Sequence, residues 1–169
     1  GWGINTNIML ILREICLGQY YFQVALILRE SLLFSSMLLN SECWTNVTTT
    51  EISQLEKVDK ALLKNFFSCS AKSVVCSLYL ESGSLPIRNV LQGKRLMFLH
   101  YLLNLPESDL TSKVFQAQIL QPVKNNWALQ VKQDLIEIGL SETTFEEIKN
   151  MSKRAFKTVV KDRIRKLAF

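Results

Sequence analysis

Apolar residues recur along this chain at steps of three and four, the period of a helix with one buried face. Ile4 to Cys16 reads as a short helix ending near Gly18. Tyr20 to Leu39 reads as a long apolar helix, wet only on the narrow side where Arg29, Ser36 and Asn40 fall together. Residues 40–48 are a polar connection around Trp44. Thr48 and Glu51 have the S/T-x-x-E spacing of a capping box and open a helix over about 49–67. Its apolar stripe is Ile52, Leu55, Val58, Leu62 and Leu63, with Glu51, Glu56, Lys57, Lys60 and Lys64 on the solvated side.

The run Ala71 to Leu80 is ambiguous, because "SVVCSLYL" is β-branched enough for a strand. Its helical neighbours and Gly83, placed as a C-terminal cap, favour helix. Pro86 suits the first turn of the next helix, which runs to about Asn104. Ser108 is expected to cap a helix to about Gln121, broken by Pro122. Asn126 to Ile138 follows and stops at Gly139. Ser141 is expected to open a short acidic helix carrying Glu142, Glu146 and Glu147 near its start, as the macrodipole prefers. Ser152 caps the last helix. The pattern predicts an all-α fold, an irregular bundle of about seven to nine helices with short connections. It divides into an N-terminal part over 1–68 and a C-terminal part over 69–169 ending in a basic helix, or forms one continuous domain.

Composition adds limits. With 169 residues and 48% of them apolar, the chain can bury a core of its own. Tyr20–Leu39 is apolar enough to suggest a membrane span, but Arg29 and Glu30 would sit at the bilayer centre, so a buried helix is expected. No basic stretch or cleavage site precedes the first apolar run, so no signal peptide is read. Gly1 opens the chain without a methionine, and Phe169 closes it inside a helix, which reads as a piece cut from a longer polypeptide. Cysteines stand at 16, 43, 69 and 76 with no C-x-x-C pair, and His100 is the one histidine. That set does not make a zinc site. Reduced, mostly buried thiols in an intracellular compartment, cytoplasm or nucleus, are expected. The sequons at Asn46 and Asn150 are then unglycosylated.

Charge is concentrated. Lys153 to Phe169 holds seven basic residues and one acidic, +6, against 13 basic and 14 acidic, −1, in the rest. Arg154, Lys157, Lys161 and Arg165 are spaced i, i+3, i+7, i+11 and share one helical face. Phe156, Val160, Ile164 and Leu167 take another and are expected to dock on the domain. Such a row can track phosphates without reading sequence. It also fits a solvated helix end, an acidic protein partner or an anionic membrane surface. Arg88, Gln92 and Arg95 share a second face, with Lys94 to the side, and read as ordinary solvated residues.

No phosphate-binding glycine loop, nucleophile elbow or paired aspartates occur. His100, inside "MFLHYLL", reads as a core or boundary histidine. Neither a cofactor, a metal nor a small-molecule substrate is indicated.

Several long runs carry a resemblance. "YYFQVALILRESLLFSSMLLNSECWTNVTTTEISQLEKVDKALL", "YLESGSLPIRNVLQGKRLMFLHYLL", "KNNWALQVKQDL" and "MSKRAFKTVVKDRI" occur in order. Together they resemble the polymerase proteins of non-LTR (LINE-type) retrotransposons, in the region where the chain leaves the reverse-transcriptase palm for a helical thumb and linker. The likeness includes the "LRESLL" helix, the Glu42/Trp44 turn and the Lys94-Arg95 basic pair, commonly two arginines in that family. "FFSCSAKSVVCS" departs from it, lacking the family's tight Gly/Pro turn. The resemblance implies a non-catalytic segment of an RNA-directed DNA polymerase that helps hold RNA template and growing DNA. Arg154, Lys157, Lys161 and Arg165, with Arg88, Lys94 and Arg95, would contact phosphates. The catalytic aspartates would lie upstream, in a palm domain that becomes a partner of this segment. The alternative is a degenerate or domesticated fragment acting only as a protein-interaction module.

Overall fold

The computed structural model describes residues 2–15, 20–70, 72–121 and 126–169, without the side chain of Ile15. Expectations placed on Cys16, Gly18, Ala71 and Pro122 lie outside the described residues. The fold is all-α, with no strand among the described residues. Its helices are α1 (Trp2–Ile15), α2 (Tyr21–Leu28), α3 (Ser35–Met37), α4 (Thr49–Phe66), α5 (Val75–Ser82), α6 (Ile87–Leu103), α7 (Leu110–Leu120), α8 (Trp127–Glu137), α9 (Phe145–Asn150) and α10 (Lys153–Ala168). A π-helical segment, Arg29–Phe34, joins α2 to α3, and a 3-10 turn covers Ser41–Cys43. None of the described helices is both long and apolar enough to cross a membrane.

The chain forms two compact units, one of residues 1–39 and 48–87, the other of 40–47 and 88–169. The division therefore falls at the start of α6, later than 68/69, and the short segment 40–47 belongs with the C-terminal residues. Asn40 and Asn46 bracket that segment in left-handed backbone, at φ 53° and 57°. Asparagine tolerates this region better than most residues.

The first unit packs Ile8, Leu12, Ala25, Leu33, Leu62, Leu63 and Phe66 into one core. Asn5 Nδ2 donates to the Val58 carbonyl at 3.0 Å, tying α1 to α4. Here the long helix departs from expectation. Arg29 is not on the wet side but is 1% exposed. Its Nε and Nη2 donate to the Asp59 carboxylate at 2.6 and 2.8 Å. Tyr79 Oη donates to the same carboxylate at 2.9 Å. The buried row runs Ala25, Arg29, Leu33, Leu38. Leu38 follows in the turn after α3, where its N–H donates to the Phe34 carbonyl at 2.9 Å. Ile27 and Leu39 point out instead, 63% and 67% exposed.

In the second unit α6 carries the central packing. Trp127 stands edge-on to Phe98 and Phe115, with ring centroids 5.5 and 5.7 Å apart. Its Nε1 donates to the Glu42 carbonyl at 2.7 Å, which holds residues 40–47 in this unit. Gly93 lets α10 come close, since a Cβ there would lie 3.3 Å from Ile164 Cδ1.

Caps follow the expected residues in part. Thr48 and Glu51 form the capping box of α4, and Ser152 caps α10. Gly83 and Gly139 end α5 and α8 at φ 61° and 71°. Two N-caps differ. Asp109, not Ser108, caps α7, its carboxylate accepting from Thr111 N at 2.7 Å. Thr144, not Ser141, opens α9 through a capping box with Glu147. In each case a side chain closer to the first helical turn makes the bond, and Ser141 stays in the preceding turn. The thiols also differ from expectation: Cys43 and Cys76 are exposed and Cys69 is half-buried.

Candidate nucleic-acid interface

The site is built on α10. Ser152 Oγ accepts from Ala155 N at 3.2 Å and sets the start of the helix. Phe156, Val160 and Ile164, four residues apart, are all buried. Phe156 stacks on His100, with centroids 5.3 Å apart. Ile164 meets Gly93. This spacing rolls the opposite side outward. Leu167, expected on the docking face, is instead 50% exposed, because the anchored row ends at Ile164 one turn earlier.

Arg154, Lys157, Lys161 and Arg165 are all exposed. None of them makes an ion pair among the described residues. Eleven residues of α-helix separate the first from the last, a rise of about 16 Å. Along one strand of a duplex that rise matches about five phosphates. Lys153, Arg163 and Lys166 are exposed on the same helix and were not singled out by the pattern. Arg165 and Lys166 sit in the last turn, where the macrodipole favours cations.

The three candidates on α6 separate. Arg88, in the first turn, is exposed. Lys94 is half-buried, with Nζ 3.8 Å from Glu42 Oε2. Arg95 is buried, and its Nε and Nη2 donate to the Asp134 carboxylate at 2.6 and 2.9 Å. Gln92, also buried, donates to Glu137 Oε2 at 3.1 Å. The shared face of Arg88, Gln92 and Arg95 is thus solvated only at Arg88. Arg95 uses one edge of its guanidinium on Asp134, 39 residues away in sequence, and is 8% exposed, which leaves little of it for a phosphate. Burial pushes the Asp134 carboxyl up from its ordinary value, against the opposing pull of Arg95.

No protein-family model, curated protein or solved structure matches the chain.

His100 lies at the edge of the core, 7% exposed, with Nε2 2.9 Å from the Met151 carbonyl. A carbonyl oxygen only accepts, so Nε2 is the donor in this bond. It positions the turn before α10. No group of three or more His, Cys, Asp or Glu residues that could hold a metal ion occurs among the described residues. The arrangement as a whole can do one thing well: present cations in a line on a rigid, anchored helix.

Proposed function

We infer that this chain is a non-catalytic helical segment of a LINE-type RNA-directed DNA polymerase, holding RNA template and DNA through phosphate contacts. The observation that carries it is the row Arg154, Lys157, Lys161 and Arg165, exposed and without an ion pair among the described residues, on a helix whose other side is buried. The all-α fold is compatible with a thumb-and-linker role, and the sequence resemblance supplies the family. Arg88 adds an exposed cation; Lys94 contributes only by leaving Glu42. The upstream palm of the same polyprotein would supply the chemistry, and this segment none. The contacts are to backbone charge, so they carry affinity and no base preference.

The experiment is a salt titration of binding to an RNA–DNA hybrid. Affinity falls steeply with salt. Changing Arg154, Lys157, Lys161 and Arg165 together to Gln reduces the log–log slope by roughly 3 to 4, at ~0.9 per duplex phosphate contact. Salt-insensitive binding, or an unchanged slope in the variant, counts against the reading.

A second reading, a protein-interaction module without nucleic-acid affinity, is favoured by the exposed Ile27 on α2 and Leu39 in the turn after α3. It predicts no binding to either duplex or single strands even in low salt.

A further inference from the structure

A second feature of the C-terminal unit is unrelated to α10. The end of α6 and its following turn, one face of α7, and the start of α9 enclose a half-open cavity of about 150 Å³. Its walls are Leu102, Leu105, Phe115, Ile119 and Phe145. Ser112 and Gln116 also line it, and the volume is enough for a benzene-sized ring. Glu107, Glu146 and Lys149 stand at its edge. All three are exposed, as are Glu142 and Glu147 nearby in sequence. At the edge itself two carboxylates stand against one ammonium, a net acidic rim on a chain of net charge +5.

The geometry points to a docking slot for one phenylalanine side chain, carried on a basic segment of a partner protein. The cavity sets the size and apolarity of the anchor. The carboxylates at the edge set the charge beside it. Apolar burial holds the ring, and the flanking lysines or arginines supply attraction that salt can screen. A phenyl anchor in a pocket with a charged rim is the arrangement that concentrates binding energy at few residues.

The test uses the full 169-residue chain and the fluorescent peptide acetyl-Arg-Lys-Phe-Lys-Arg-amide, read by anisotropy. The peptide binds, and replacing its phenylalanine by alanine weakens binding roughly tenfold or more. Glu107→Gln with Glu146→Gln weakens it several-fold in low salt, and the difference disappears near 0.5 M salt. Gln116→Trp, at an exposed position on the wall, closes the slot and weakens binding as much as the alanine peptide does. Circular dichroism checks that each variant keeps its helices; if Gln116→Trp loses them, the glutamine pair decides. Equal binding of the alanine peptide would show charge attraction alone and overturn the proposal. Full binding to the glutamine pair does the same. So does self-association of the chain that blocks the peptide and is abolished by Phe169→Ala, because the slot then takes a second copy.

Discussion

The most consequential single residues are the two buried arginines. Arg29 and Arg95 each give a two-pronged bond to one aspartate, Asp59 and Asp134, which are 0% and 2% exposed. Removing one partner leaves a charge buried without compensation, which costs on the order of 3–5 kcal/mol. Asp59→Ala is therefore expected to lower stability by about that amount in urea unfolding, whereas Lys60→Ala, which breaks a part-exposed pair with Glu56, costs well under about 1 kcal/mol. Tyr79 shares the Asp59 carboxylate, and burial with that charge pushes its hydroxyl up from its ordinary value. It stays protonated throughout the working range and acts only as a donor. Neither arginine was legible as buried. Their partners lie 30 and 39 residues away, and helical periodicity sees only steps of three and four. The capping pair Thr48/Glu51 was legible for the same reason in reverse, since its whole chemistry fits within one turn. Its acid form has a measurable consequence. The bond from Thr48 N holds the Glu51 carboxyl below its ordinary value, and Thr111 does the same for Asp109. A depressed carboxylate adds stability that is present above its unfolded pKa, about 4, and is lost as pH falls through the folded value. The glutamine variant of Glu51 is accordingly expected to show a shallower loss of stability between pH 5 and 2 than the unmodified chain, read by thermal unfolding at each pH.

At the scale of the element, the glycines that end α5 and α8 hold backbone that side chains resist. Gly83 N and Ser84 N return to the carbonyls of Leu80 and Tyr79; Gly139 N and Leu140 N return to those of Ile136 and Leu135. This paired closure needs a left-handed residue, and Gly139→Ala or Gly83→Ala is expected to cost about 1–2 kcal/mol each, measured by denaturant midpoint. Ser84→Ala, whose main-chain bond survives the change, serves as the contrast and stays within about 0.5 kcal/mol. Helix existence and type were readable along nearly the whole chain, including the ambiguous run that became α5. What periodicity could not show was the π-segment at Arg29–Phe34. A strict step of 100° per residue placed Arg29 with Ser36 and Asn40 on the wet side, while its bonds to Asp59 turn it inward. The two misplaced N-caps have a smaller cause. Serine and aspartate, or serine and threonine, compete within a few residues, and the side chain that reaches the first free N–H wins.

For the molecule as a whole, charge and burial act on separate parts. Residues 1–152 carry −1 and the last seventeen carry +6. The basic row was legible from sequence because charge and helical phase are both local. Its docking face was legible too, through Phe156, Val160 and Ile164, but not what that face meets, since Gly93 and His100 belong to a helix some sixty residues earlier. Because Arg154, Lys157, Lys161 and Arg165 touch no counter-ion among the described residues, their joint replacement by Gln is expected to leave the thermal midpoint within a few degrees while removing four positive charges. A variant that loses nucleic-acid affinity and keeps its midpoint would separate binding from folding. Val160→Ala, on the buried side, is expected to do the reverse, costing about 1–3 kcal/mol with the cations intact.

The Trp127–Glu42 bond has a consequence in time. A ribosome delivers residues 1–87 first, and every segment of the first unit is then available to fold. The segment 40–47 is delivered with them but belongs elsewhere. The tryptophan that donates to its carbonyl is made 85 residues later. During that interval the eight-residue segment is a loop awaiting its partner, and the second unit is completed by reaching back along the nascent chain.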